Sequence, residues 1–130
     1  MDSNDWKTFF LVCAEILGRG SSVAAQSDSW CSWTTFARLN EDTGYWMSGL
    51  PKQKEIADAG IADGGTWGQP FSYSDLAHVL IPRSFYWESS SENGFKSGVR
   101  KQDIDAVALR LQEQKINHRL TDLVLEIKLY

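Results

Sequence analysis

The only two histidines of this chain, His78 and His118, are its first candidates for acid–base chemistry. Imidazole titrates near neutral pH, so two histidines can serve as the acid and the base of a metal-free ribonuclease when a cation such as Lys101 or Arg119 stabilises the pentavalent phosphate. His78, however, lies inside the apolar run 76–81, where a buried neutral imidazole with one hydrogen-bond partner is common. We therefore assign no catalytic residue, and the sequence leaves open whether the chain is an enzyme.

Two carboxylates, Asp58 and Asp63, take the same place in a five-residue near-repeat, IADAG followed by IADGG. Carboxylate oxygens bind hard cations. Two of them fall short of the ligand set that an EF-hand supplies, and Asp-Gly is also an ordinary turn former. The motifs HExxH, CxxC, Walker A and GxSxG are missing as well. The sequence therefore predicts no metal site and no cofactor.

The charge and composition of the chain restrict its class and its partners. A length of 130 residues with 42% hydrophobic and 23% charged side chains predicts a single domain over residues 1–130. The formal net charge of −4 comes entirely from residues 1–65, which hold nine acidic and five basic side chains. An acidic surface repels the phosphates of nucleic acid and attracts a cationic protein. The charge pattern predicts a protein partner and argues against nucleic acid.

The sequence predicts a cytoplasmic protein. Its apolar runs are far shorter than the roughly 20 residues of a membrane span. The apolar stretch near the N-terminus is too short, and too close to acidic residues, for a signal peptide. Cys13 and Cys31 lack metal-site spacing and lie in apolar surroundings, which favours two buried free thiols in a reducing compartment.

The first half of the chain predicts one helix and one hairpin. Apolar residues at helical spacing indicate a helix over 4–17, capped by Ser3 or Asn4. A period-two pattern over 30–40 indicates a strand, and the turn formers that follow it lead into a partner strand over 45–47. After Pro51, residues 52–59 are predicted as a short helix, followed by a long surface loop.

The second half alternates strands with one helix. The predicted elements are a strand buried on both faces over 76–81, an edge or neighbouring strand over 85–87, a polar flexible stretch over 89–98, a helix over 102–115 and a half-buried strand over 123–130 with Glu126 on its wet face. Helices in this order do not build repeated βαβ units. The predicted fold is therefore α+β, a mostly antiparallel sheet of four to six strands with two main helices packed on one face.

Tryptophan is over-represented, with six residues in the chain. Trp6 and Trp33 lie on apolar faces and are predicted to be core. Trp30 and Trp46 can lie on the strand face opposite the core, and Trp67 lies in a glycine-rich loop where no regular element dictates its burial. All three are either surface residues or parts of a second aromatic core.

These features together favour a small acidic protein-binding module. Our particular hypothesis is a bacterial immunity- or antitoxin-type inhibitor that occludes a toxin, often a basic nuclease. Carboxylates would pair with the partner's cations and aromatic rings would supply desolvated anchors. The predicted partner-binding residues are Glu41, Asp42, Trp46, Asp58, Asp63 and Trp67.

Two alternative functions stay open at this point. The first is a small-molecule-binding domain or small enzyme with a pocket between the sheet and the helices, lined by His78 or Trp33. The second is a subunit of a larger assembly that dimerises through an exposed strand over 123–130.

Overall fold

The computed structural model describes all residues from Met1 to Tyr130. Its three helices are α1 (Ser3–Leu17), α2 (Phe36–Glu41) and α3 (Ile104–Glu113). Its nine strands are β1 (Cys31–Thr35), β2 (Trp46–Ser48), β3 (Gly60–Ile61), β4 (Phe71–Ser72), β5 (Leu76–Pro82), β6 (Ser84–Ser91), β7 (Gly94–Lys101), β8 (Arg119–Leu120) and β9 (Val124–Lys128).

Five strands form one antiparallel sheet in the order β2-β1-β5-β9-β8. The apolar strand β5 lies at its centre and is buried over most of its length, as predicted. The strands β3 and β4 form a small second sheet, and β6 pairs with β7 in a separate hairpin. The α+β prediction is confirmed, and the main sheet falls within the expected four to six strands.

The core lies between the main sheet and the two longer helices. Trp33, Val79 and Ile127 face it from the sheet, while Phe10 and Leu111 face it from α1 and α3. Trp6 and Trp33 are both 1% exposed, which confirms their prediction as core residues. Cys13 and Cys31 are buried free thiols.

The helix α1 starts at Ser3 and is capped by Asp2, one residue before the nearer of the two predicted caps. Asp2 accepts a hydrogen bond from the Asp5 backbone N–H at 2.8 Å, and the Asp5 carboxylate accepts one from the Asp2 N–H at 3.2 Å. This reciprocal capping box satisfies two N–H groups at once, which a cap at Ser3 or Asn4 would not do. The helix ends at Gly18, whose φ of +86° disfavours any side chain.

The predicted strand over 30–40 is wrong beyond residue 35. Thr35 caps a helix there, because its hydroxyl oxygen accepts a hydrogen bond from the Arg38 N–H at 3.2 Å. The next residues, FARLNE, include several good helix formers and give α2. The two predicted strands still pair, with Trp33 directly opposite Trp46.

Two other segments differ from their predictions. Residues 52–59 form a single 3₁₀ turn at Gln53–Glu55 in place of a short helix. The stretch 89–98, predicted to be polar and flexible, forms the outer half of the β6–β7 hairpin. Asn93-Gly94 is the turn signal that the sequence prediction missed there.

None of the helices has the length and the apolar composition that crossing a membrane requires.

Candidate functional site

Trp67 lies in the core and cannot serve as a surface anchor. It is 5% exposed, and its ring stacks on Trp33 with ring centroids 3.7 Å apart and planes 7° from parallel. Its Nε1 donates a hydrogen bond to the Gly49 carbonyl oxygen at 3.1 Å. The predicted role of Trp67 in partner binding is therefore corrected, because the loop that carries it is folded down onto the sheet.

The same loop is fixed by a buried carboxylate. The two oxygens of Glu55 accept hydrogen bonds from the Thr66 backbone N–H at 2.8 Å and from the Thr66 hydroxyl at 2.9 Å. A side chain at Gly65 would collide with the Glu55 carboxylate, at 2.5 Å. The near-repeat closes its first turn by a hydrogen bond from the Ala57 N–H to the Gly60 carbonyl oxygen. Residues 62–70 form a loop without helix or strand, as predicted, but Thr66 and Trp67 are buried and the strands β3 and β4 flank it, so it does not lie entirely on the surface.

Trp46 is half-buried at the edge of the sheet. One side of it packs towards Trp33 and Phe71, with centroid distances of 6.3 and 5.1 Å. The guanidinium of Arg38 covers its ring at 5.1 Å from the centroid. Only a part of this ring is available to a partner.

The four acidic residues predicted to bind a partner do not form a patch. Asp42 pairs with Arg38 at 3.0 Å at the end of α2. Asp58 pairs with Lys7 of α1, and this lysine lowers the pKa of the Asp58 carboxyl. Glu41 and Asp63 are exposed and make no ion pair.

Most of the acidic excess in residues 1–65 is used inside the chain. Seven of its nine carboxylates cap a helix, pair with a cation or bond the backbone: Asp2, Asp5, Glu15, Asp28, Asp42, Glu55 and Asp58. Electrostatic attraction of a partner by this half therefore rests on the long-range field, since no local cluster of free carboxylates exists.

A chain of hydrogen bonds crosses the sheet face opposite the helices. The Tyr45 hydroxyl lies 2.8 Å from His78 Nδ1, and His78 Nε2 lies 2.9 Å from a Glu126 oxygen. The other Glu126 oxygen accepts a hydrogen bond from Arg119 at 3.2 Å. Because a carboxylate only accepts, Nε2 carries the proton of a neutral His78 and Nδ1 accepts from Tyr45.

Tyr45, His78 and Glu126 follow one another in the order of a nucleophile, a base and an acid, but the Tyr45 phenol is not activated. Burial, followed by the hydrogen bond with Tyr130, raises the pKa of Tyr45 to about 12. His78 and then Arg119 lower the pKa of Glu126, which therefore stays ionised. Because the phenol is neutral and the carboxylate is paired, these hydrogen bonds hold the side chains in position. His78 is the buried imidazole that the sequence predicts. Glu126 points away from the core as predicted, yet it is buried.

The pocket alternative loses its predicted location. The space between the sheet and the helices is filled by core side chains, with Trp33 among them and His78 on the opposite face. The strand β9 pairs with β5 along its length, but β8 pairs only with Leu125 and Glu126 on its other side.

The β6–β7 hairpin, called the arm below, has one packed face. Phe85 is buried and stacks on Trp30 with centroids 5.9 Å apart. Arg100 donates hydrogen bonds to the carbonyl oxygens of Ser27 and Ala25, and its guanidinium lies 5.3 Å from the centre of the Trp87 ring. These contacts fix the base of the arm to the domain.

The other face of the arm exposes large apolar side chains. Tyr86, Phe95 and Val99 are 58%, 63% and 64% exposed. The strand register places all three on one face, with Tyr86 directly opposite Val99. The sequence prediction placed Tyr86 on a strand over 85–87 but assigned Phe95, with the rest of 89–98, to a flexible stretch, so it did not pair the two strands and missed this surface.

Comparison of the chain with protein families, with curated proteins and with solved structures finds no match. The fold and the exposed arm define a small α+β domain that carries one projecting hairpin.

Proposed function

We propose that this chain is a small protein-binding module that occludes a partner protein through the outer face of the arm. The observation that carries the proposal is the alignment of Tyr86, Phe95 and Val99 on one exposed face of a two-stranded hairpin. Aromatic residues that protrude from a fixed scaffold are typical anchors of protein interfaces.

The energetics of the arm support a covering partner. A two-stranded hairpin is marginally stable in water unless a third element covers one of its faces. The contacts of Phe85 and Arg100 hold the base only, and the outer residues 88–97 pair with each other alone. A partner that covers the outer face would bury the exposed parts of three large side chains, which favours the complex by at most about 1.5–3 kcal/mol each before the cost of association.

The arm also offers polar complementarity around its apolar centre. Glu88 and Lys101 lie on the same face as Tyr86, and the Tyr86 hydroxyl donates to Glu88 at 3.1 Å. Both strands of the arm are edges, so backbone N–H and C=O groups are free to pair with a partner strand.

The class of partner follows from charge and from the binding mode. A net charge of −4 attracts a cationic protein over distance, while the apolar arm supplies the contact. Occlusion of a cationic active surface is how an immunity- or antitoxin-type inhibitor of a bacterial toxin would act. Such an inhibitor needs no catalytic residue of its own.

The test compares two exposed positions of equal accessibility. A photoreactive phenylalanine analogue replaces Val99 of the arm in one variant and Leu109 of α3, which is 62% exposed, in the matched control. Both variants are irradiated in lysate of the source cells, and any protein cross-linked at position 99 is identified, purified and assayed with the chain added in equimolar amount.

We expect one protein to be cross-linked from position 99 and none from position 109, and we expect the chain to abolish that protein's activity. Equal cross-linking at both positions, no cross-linked protein, or a captured protein whose activity the chain leaves unchanged would each overturn the proposal.

A further inference from the structure

A groove of about 500 Å³ lies at the far end of the sheet from β2, where α3 ends and β8 begins. Its walls come from the turn that follows α3, the start of β8, the strand β9 and the N-terminal residues Met1 and Asp5. Four basic side chains line it: Lys115, His118, Arg119 and Lys128. A volume in this range suits a small ligand.

Lys115 occupies a backbone position that disfavours it. Its φ of +57° is left-handed, and its N–H donates to the Gln112 carbonyl oxygen at 3.1 Å while the Ile116 N–H donates to that of Leu111 at 2.9 Å. These two bonds form a Schellman motif, in which glycine is the usual residue at this position. A lysine here adds a cation to the groove at a cost in backbone energy.

Two further side chains of the groove, an imidazole and a guanidinium, are held in place by hydrogen bonds. His118 Nδ1 lies 2.8 Å from the Ile116 carbonyl oxygen, so Nδ1 carries a proton and Nε2 is left free. Arg119 is the last member of the chain Tyr45–His78–Glu126–Arg119, and only its Nη1 is used there. The remaining guanidinium N–H groups are free to donate, because this side chain is 72% exposed.

The two carboxylates of the groove are already engaged. Asp5 accepts the Asp2 N–H in the capping box of α1. Glu126 uses one oxygen for His78 and the other for Arg119. Lys115 and Lys128 make no ion pair in the chain, and the Lys128 ammonium lies 4.7 Å from the centre of the Tyr130 ring.

We infer that this groove binds the phosphate group of a small ligand. A guanidinium that can donate two parallel hydrogen bonds, an imidazole and two ammonium groups match the charge and the several acceptor oxygens of a phosphate better than those of a carboxylate. The inference is independent of the arm and of its partner.

The experiment is an NMR titration of the ¹⁵N-labelled full chain with inorganic phosphate, with acetate at equal ionic strength as the comparison anion. We expect saturable shifts of the amides of residues 115–119 with phosphate and little change with acetate. Absence of saturation with phosphate, or equal shifts with acetate, would overturn the assignment.

The variant Lys115→Gly separates binding from folding, because glycine suits the left-handed position and keeps the turn intact. We expect it to fold as well as the wild type and to raise the Kd for phosphate about tenfold, as does Arg119→Gln. The control is Lys54→Gln, which removes an exposed lysine outside the groove and outside the arm and should leave Kd within about twofold. An equal loss in Lys54→Gln and Lys115→Gly would show that only the overall charge matters and would refute the groove.

Discussion

Residues 50–73 and residues 84–101 both carry several aromatic side chains and glycines, yet the two segments have opposite surroundings. In the first segment, Trp67, Phe71 and Tyr73 are between 1% and 6% exposed. In the second, Tyr86 and Phe95 are about ten times more exposed, at 58% and 63%.

The difference arises from what each segment can pack against. The first segment lies over Trp33 and α1, so Trp67 meets Trp33 on one face and Phe10 edge-on at 5.4 Å. The arm leaves the domain after Arg83 and meets other elements only near its base. Aromatic content therefore does not distinguish core from exposed surface in this chain. The distinction depends on whether another element of the fold packs against the segment.

The largest expected effect is the loss of the buried ring in the first segment. Trp67→Ala removes the stacking on Trp33 and leaves a cavity, so the free energy of unfolding should fall by about 3–5 kcal/mol in a denaturant titration. The matched variant Trp87→Ala removes the same atoms from a half-buried ring of the arm and should cost about half as much or less. Equal losses would contradict the contrast between the two segments.

The second effect depends on pH. The folded state lowers the pKa of Glu126 below its ordinary value of 4.5, so its charge stabilises the fold above that value, and this stabilisation is lost as the pH falls through the folded pKa. Glu126→Gln should therefore cost about 2 kcal/mol at pH 7 and progressively less below pH 4. The control is Glu113→Gln, which changes an exposed carboxylate at the end of α3. A Glu126→Gln cost that did not change between pH 7 and pH 3 would show that the charge plays no part.

A third, smaller effect concerns the hydrogen bonds that hold the first segment down. Thr66→Val keeps the shape of the side chain but leaves one Glu55 oxygen without its donor. The expected cost is about 1–2 kcal/mol of unfolding free energy, measured in the same titration. A neutral result would mean that water replaces the hydroxyl and that Glu55 does not fix this loop.

The smallest effect is expected on the arm. Phe95→Ser changes a side chain that is 63% exposed on the outer face of the arm, so the free energy of unfolding should stay within about 0.5 kcal/mol of the wild type. A loss of several kcal/mol would show that Phe95 belongs to a core, and the distinction between the two segments would fail.

The sequence predicted those parts of the molecule whose pattern is local. The helical spacing in α1 and α3 and the unbroken apolar run of β5 depend on neighbouring residues, so periodicity identifies them. Trp67 is buried by stacking on Trp33, which lies 34 positions away in the chain, and His78 is hydrogen-bonded to Glu126, which lies 48 positions away. Local patterns do not reveal contacts over such distances. The strand predicted from the period-two pattern over 30–40 ends at Thr35, because the hydroxyl of this residue caps the helix that follows.

The arm was missed for a different reason. Its outer face mixes Tyr86, Phe95 and Val99 with serines and charged residues, and its inner face is also partly polar, so neither strand shows a clear period-two alternation. The Asn93-Gly94 turn is the local signal that could have identified the hairpin. A hairpin with apolar residues on the face that the domain leaves open is what a binding surface requires.

The most direct test of the arm as the recognition surface is the Kd for the captured partner, measured with Val99→Ser and with Leu109→Ser. The two side chains are almost equally exposed, at 64% and 62%, so neither change should alter the fold. We expect Val99→Ser to weaken binding at least about tenfold and Leu109→Ser to leave Kd within about twofold. Equal Kd values for the two variants would contradict the assignment of the arm as the binding surface.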